Sequence, residues 1–185
     1  MKDPSRLHYP KEWLELGLLD EEFLSEQLAR FDAGEDTNSE HYRIAAFNRL
    51  LARKELSDLF IDRYVRLAQL DPYPTMVRSA LIGLIDHPAL SDDQLTRLAP
   101  YVAGDATVEK RLKRRRLLRE LRPSIIELPV LARCASEGDA EVHRILLSRP
   151  DLPDSILAVL QRAGASRAIR NQAAERCRAR SKKRR

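Results

Sequence analysis

The apolar positions of this chain fall at helical spacing along most of its length. Asp20 precedes Glu21 and Glu22, acids suited to the positive end of a helix, and Leu24, Leu28 and Phe31 then recur until Gly34 stops the run. Thr37-Asn38-Ser39-Glu40 reads as a capping box in which Thr37 accepts from the backbone and Glu40 reaches back. The stripe Ile44, Phe47, Leu50 and Leu51 follows it. Ser57 is the next expected cap, with Phe60, Ile61, Tyr64, Val65 and Ala68 on the buried side. Asp71-Pro72-Tyr73-Pro74 is a turn, because proline removes a donor and restrains its predecessor. Met76 to Ile85 reads as a buried helix, and Ser91-Asp92-Asp93-Gln94 as a second capping box ahead of Leu95, Leu98 and Val102.

Beyond Gly104, Thr107 opens a basic helix that Pro123 ends. Shorter helices are expected near 126–136 and 140–148, and Pro153 sits where a first helical residue needs no N–H. Gly164 is the stop after Leu160, and Ser166 can cap a last helix to about Arg180. No alternating run of β-branched residues competes with these helices. The expected fold class is all-α, with about ten helices joined by short connections.

Three helix starts resemble one another: Leu56-Ser57-Asp58, Leu90-Ser91-Asp92 and Leu152-Pro153-Asp154. Each is followed by apolar residues five and eight positions after the leucine: Ile61 and Tyr64, Leu95 and Leu98, Leu157 and Leu160. The first two leucines are 34 residues apart and the last two 62, so a weaker copy is expected between them, where Ile126, Leu131 and Cys134 fit poorly. Periods of this length mark arrays of helix pairs, since one pair cannot bury its own apolar face and stacked neighbours can. Val77 to Leu98 and Val142 to Leu160, each a helix, an x-Pro-x-Leu turn and a second helix with leucine pairs, resemble HEAT-like repeats or the related leucine-rich-repeat variants. That resemblance implies a short α-solenoid of stacked antiparallel helix pairs and a binding role, and it brings no catalytic residues with it. The expected organisation is an acidic N-terminal helical cap over 1–36, a repeat array over 37–180 and a basic disordered tail over 181–185. An irregular helical bundle with similar capping is the alternative architecture.

Charge changes the picture more than composition does. Residues 1–100 hold 12 Lys+Arg against 18 Asp+Glu, and residues 101–185 hold 21 against 10. An asymmetry of this kind points to an acidic or nucleic-acid partner for the basic half. The basic helix interleaves Lys113, Arg114, Arg115, Arg116 and Arg119 with leucines, and the last helix adds Arg167, Arg170, Arg176, Arg178 and Arg180 ahead of Ser181-Lys182-Lys183-Arg184-Arg185. With Arg144 between them, in an array whose packed helices lie about 10 Å apart, these cations are expected to form a stripe roughly 20 Å long. Such a stripe suits about six phosphates and a steep salt dependence. The plainer alternative is a solvated helix face and a frayed tail.

Other chemistry is expected to be absent. The sequence shows no phosphate-binding glycine loop and no helical pair among His8, His41, His87 and His143. Cys134 and Cys177 read as reduced thiols. No catalytic residue, cofactor or metal is therefore expected. The polar cluster His41, Tyr42 and Arg43 is either a grip for a partner or the charged first turn of a capped helix. Trp13 is expected to anchor the N-terminal helix with Leu14 and Leu18. No apolar run reaches the roughly 18 residues of a membrane span, and Met1 to Pro10 lacks the apolar core of a signal peptide, so a cytoplasmic protein is expected. Function is expected to be non-catalytic: a scaffold binding another protein, with sequence-nonspecific DNA or RNA binding by the basic half as the alternative.

Overall fold

The computed structural model describes residues 3–183, which form twelve α-helices and one 3-10 turn, Pro4–Leu7, with no strand among the described residues. The helices are α1 (Glu12–Glu15), α2 (Glu21–Asp32), α3 (Ser39–Leu51), α4 (Asp58–Leu70), α5 (Pro74–Asp86), α6 (Asp92–Arg97), α7 (Ala99–Val102) and α8 (Ala106–Glu120). They continue as α9 (Leu128–Glu137), α10 (Ala140–Ser148), α11 (Asp154–Ala163) and α12 (Arg167–Lys183). The chain divides into two compact units, Met1–Leu112 and Lys113–Arg185, and the division falls inside α8. Among the described residues no helix is long and apolar enough to cross a membrane.

Capping chemistry sets most helix starts. Ser57 caps α4 by accepting from Phe60 N–H, and Ser91 with Gln94 forms the full reciprocal box at α6. At α3 the cap is Asn38 rather than Thr37: its side chain accepts from Glu40 N–H. Asn38 is one residue closer to the helix, and Asp36 fixes it there by accepting its N–H at 2.9 Å. Helix α8 begins one residue before Thr107, because Asp105 accepts from both Thr107 and Val108 N–H. Pro153 is the N-cap of α11 and not its first residue. The last helix runs through Lys183, so Ser181 and Lys182 of the expected tail are helical, while Arg184 and Arg185 lie outside the described residues.

In the first unit Leu7, Trp13, Leu24, Phe47, Tyr64 and Leu84 belong to one continuous core. Trp13 meets Tyr9 and Phe47 edge-on at 5.0 and 4.7 Å between ring centroids. In the second unit Leu117, Leu131, Cys134, Leu146, Leu157 and Ile169 belong to another. The repeat leucines Leu56, Leu90 and Leu152 are all buried.

A second recurrence appears that the leucines do not carry. Asp71, Asp105 and Asp139 stand 34 residues apart. In each, Oδ1 accepts backbone N–H groups at a helix start: Tyr73 before α5, Thr107 and Val108 in α8, Glu141 and Val142 in α10. Also in each, Oδ2 accepts from the Nε of an arginine on an earlier helix. Arg43 of α3 reaches Asp71 at 2.8 Å, Arg78 of α5 reaches Asp105 at 2.9 Å, and Arg114 of α8 reaches Asp139. One carboxylate thus caps its own helix and ties it to an earlier one.

The other ends of these helices are tied as well. His87, just after α5, donates through Nε2 to Leu51 O and Arg53 O beyond α3, at 3.0 and 3.1 Å. Arg149, just after α10, donates to the carbonyls of Leu121, Pro123 and Ser124 beyond α8. Arg176 reaches the carbonyls of Leu147 and Arg149, and Arg180 those of Leu152 and Pro150. Ala165 N–H, just before α12, donates to His143 Nδ1 in α10 at 3.1 Å, so start is tied to start and end to end in each case: α3 runs parallel to α5 in the first unit, and α8 to α10 and α10 to α12 in the second. These ties also satisfy carbonyls that helix ends leave open.

Candidate nucleic-acid interface

The second unit concentrates the cations. Residues 113–185 hold 19 Lys+Arg, of which 16 are arginine, against 8 Asp+Glu, whereas residues 1–112 hold 14 against 20. All ten aromatic residues lie in 1–112. The second unit is therefore a cationic, arginine-rich surface with no ring to stack on a base.

The residues expected to form one row do not share one environment. Lys113 is exposed and ion-paired with Glu137 at 2.9 Å. Arg114 is half-buried between Asp139 and Glu141. Arg115, Arg116 and Arg119 are half-buried on α8, each engaged by other groups of the chain. Arg170 is half-buried and donates to Gly164 O at 2.7 Å. Arg144 is exposed and, among the described residues, reaches only Ala140 O of its own helix, at 3.2 Å. Arg167 is exposed, with no hydrogen-bond or ion-pair partner among the described residues.

Position on α12 separates its cations by task. Arg176 and Arg180 point back to the turn after α10 and hold its carbonyls. Arg167, Arg178 and Lys182 are exposed, together with Asn171. At 100° per residue these four side chains lie within an arc of about 60°, opposite the buried Ile169 and Ala173, and span roughly 22 Å of helix. Among the described residues Arg178 reaches only Ala174 O of its own helix, at 3.4 Å. Glu175, also exposed, borders the stripe. Sequence reasoning placed these residues on a basic helix without separating holding arginines from free ones. The separating signal is phase: Arg176 and Arg180 sit four apart on the side of Ile169 and Ala173.

The polar cluster on α3 is mostly interior. His41 is exposed and pairs with Asp36 Oδ2 at 2.6 Å. Tyr42 and Arg43 are buried, and a partner at the surface meets neither. Arg43 donates to Asp71, to Leu7 O and to Ser39 Oγ, and the Tyr42 carbonyl takes hydrogen bonds from Tyr9 and Gln27.

Among the described residues no group of three His, Cys, Asp or Glu is placed to hold a metal. Cys134 is buried, and burial pushes its thiol up to about 11, which leaves little thiolate for chemistry. His143 is buried too. Its Nδ1 accepts from Ala165 N–H at 3.1 Å, so the neutral ring carries its proton on Nε2. Burial holds its pKa below the ordinary 6.5, against the opposing pull of the Ala135 and Cys134 carbonyls and Asp139.

The unfolded chain therefore takes up a proton that the folded ring resists. Stability from this group is complete above pH 6.5 and is lost as pH falls from there toward the lower folded value. The urea midpoint of the chain should drop as pH falls below 6.5. In His143→Gln, which keeps an acceptor for Ala165, the part of the drop due to this ring should vanish. An unchanged pH profile in that variant would contradict the assignment.

Compared with known families, curated proteins and solved structures, the chain matches no family model, no curated protein and no solved structure.

Proposed function

We propose that this chain is a non-catalytic binding protein. In this reading each unit is a stack of helix pairs repeating about every 34 residues, and the cationic unit docks on the phosphate backbone of nucleic acid without reading base sequence. The carrying observation is the kind of tie that the second unit's arginines make. Among the described residues Arg170 and Arg176 are held by backbone carbonyls alone, and Arg149 and Arg180 by carbonyls together with one carboxylate each, Asp151 and Asp154. A carbonyl fixes a guanidinium in place and leaves its charge uncancelled. With 19 cationic and 8 acidic residues, the unit keeps a strong positive field, which attracts a polyanion over distance. The parallel helices and the Asp–Arg ties support the repeat reading of the fold.

A protein-interaction scaffold is the second reading, and a different observation favours it. Ile125, in the connection between α8 and α9, is 88% exposed, and Leu128, the first residue of α9, is 52% exposed. Arg149 holds that connection by three carbonyls, so two large aliphatics are presented to water on a fixed turn. A protein partner covering them would gain apolar burial.

The two readings separate in one titration. The full chain is added to a labelled nucleic-acid duplex of about 20 base pairs at about 50 and 200 mM salt, and anisotropy is recorded. Four phosphate contacts predict a loss of affinity on the order of 10²-fold across that range. Absence of binding at the lower salt would remove the nucleic-acid reading and leave the scaffold.

A further inference from the structure

We propose that the nucleic acid is taken as a double helix, and that its backbone lies along the exposed stripe of α12 formed by Arg167, Asn171, Arg178 and Lys182. This rests on the nucleic-acid reading above and adds to it the strand form and the contact line. Three observations converge on it.

First, the stripe is straight and fixed. Four side chains within about 60° of one another on a helical rod make a line roughly 22 Å long. That rod is held at its far side by Ile169 and Ala173 in the core, and by Arg176 and Arg180 on the turn after α10. A stiff line of cations suits a stiff partner. Double-stranded DNA presents one charge per about 1.7 Å of its axis, and it releases about 0.9 counterion per neutralised phosphate, against about 0.7 for a single strand.

Second, the cations of the stripe meet no carboxylate partner among the described residues, unlike Lys113, Arg114 and Arg133, which are paired with Glu137, Asp139 and Glu120. Arg167 and Lys182 have no partner there, and Arg178 touches only a carbonyl of its own helix. Binding phosphate at the stripe breaks no existing ion pair, whereas binding at Lys113 or Arg114 would.

Third, residues 113–185 contain no Phe, Tyr or Trp. Single-strand binding without sequence preference ordinarily combines a basic groove with aromatic platforms on which bases stack. With that contribution missing, the backbone interaction favours the form with the denser charge.

Arg167→Glu/Arg178→Glu reverses two charges on the stripe. Both sites are exposed, and a glutamate at 167 suits the first turn of a helix, so the variant should keep its far-UV circular dichroism. Arg122→Glu/Arg162→Glu makes the same change in net charge at exposed positions of the second unit off the stripe. Affinity of each full-length variant is measured by anisotropy for a duplex of about 20 base pairs and for a thymidine single strand of the same length, with poly-L-glutamate as competitor.

The unaltered chain should bind the duplex more tightly than the single strand. The stripe variant should lose at least about tenfold in duplex affinity, with a salt slope shallower by about 2. The off-stripe variant should lose much less, and Glu175→Gln, which removes the bordering carboxylate, should bind more tightly. Equal losses in the two double variants would overturn the stripe, because the field of the whole unit would then account for binding. A single strand bound as tightly as the duplex would overturn the strand form and leave the nucleic-acid reading standing. Poly-L-glutamate competing as well as duplex would overturn both, in favour of an acidic protein partner.

Discussion

Asp71→Ala should cost the first unit about 3–5 kcal/mol of stability, the largest loss expected from any single polar substitution in the chain. Arg43 and Asp71 both have side chains fully shielded from solvent, with Nε to Oδ2 at 2.8 Å. Arg43 also donates to Leu7 O at 2.8 Å and to Ser39 Oγ at 3.2 Å, while its Nη2 has no hydrogen-bond partner among the described residues. Removing the carboxylate leaves a guanidinium in the interior with no counter-charge, and the Tyr73 N–H loses its acceptor at the start of α5. Removing both charges is a different experiment. Arg43→Met/Asp71→Leu gives up the attraction together with the need for it, and should be clearly more stable than Asp71→Ala alone. Urea unfolding followed by circular dichroism measures both. A loss below about 1 kcal/mol for Asp71→Ala would contradict the burial of the pair.

Trp13→Ala should cost a comparable 3–5 kcal/mol, and Trp13→Phe much less, within about 1.5 kcal/mol. The indole is completely buried and touches Tyr9 and Phe47 edge-on, so truncation to alanine opens a cavity under the N-terminal segment. Its Nε1 is buried without a hydrogen-bond partner among the described residues. Phenylalanine gives up some volume and also removes that N–H, so part of the packing loss is recovered. Because Trp13 is the only tryptophan, its fluorescence disappears in both variants, and far-UV circular dichroism is the suitable signal. Equal losses in the two variants would mean that a phenyl ring recovers none of the packing, and would contradict the cavity account.

Helix identity was legible because capping chemistry is local. Ser57, Ser91 and Ser166 accept backbone N–H groups where their sequence contexts place them. Thr37 failed because Asn38, beside it, is an equally good cap and Asp36 holds it in position. Gly164 ends α11 as expected, though for another reason than Gly34 and Gly104, which adopt φ of +72° and +92°. At Gly164 the backbone is extended, and an added Cβ would meet Leu160 O at 2.5 Å and Ile169 Cγ2 at 2.7 Å. A pattern of residue types does not distinguish these two uses of glycine.

The basic surface was half legible. Its charge could be counted, but the division of arginines into holding and exposed groups depends on which face of α12 each occupies and on carbonyls about 25–30 residues away. The Asp71, Asp105 and Asp139 ties were present in the sequence as a spacing of 34. They went unread because each aspartate, taken singly, is an ordinary helix-start residue. The pairing of Arg43 with Asp71 likewise explains why Tyr42 and Arg43 resembled a surface grip: the sequence shows two polar residues in a first turn, and only the fold supplies the buried carboxylate.

Nucleic-acid binding by the second unit is the central proposal. Backbone amide shifts of the full chain, recorded by NMR during titration with a short duplex, test that claim most directly. Shifts should gather in residues 113–183, strongest along α12 near Arg167, Arg178 and Lys182, and should fade as salt is raised. Shifts centred in residues 1–112, or a spectrum that the duplex leaves unchanged at low salt, would contradict it.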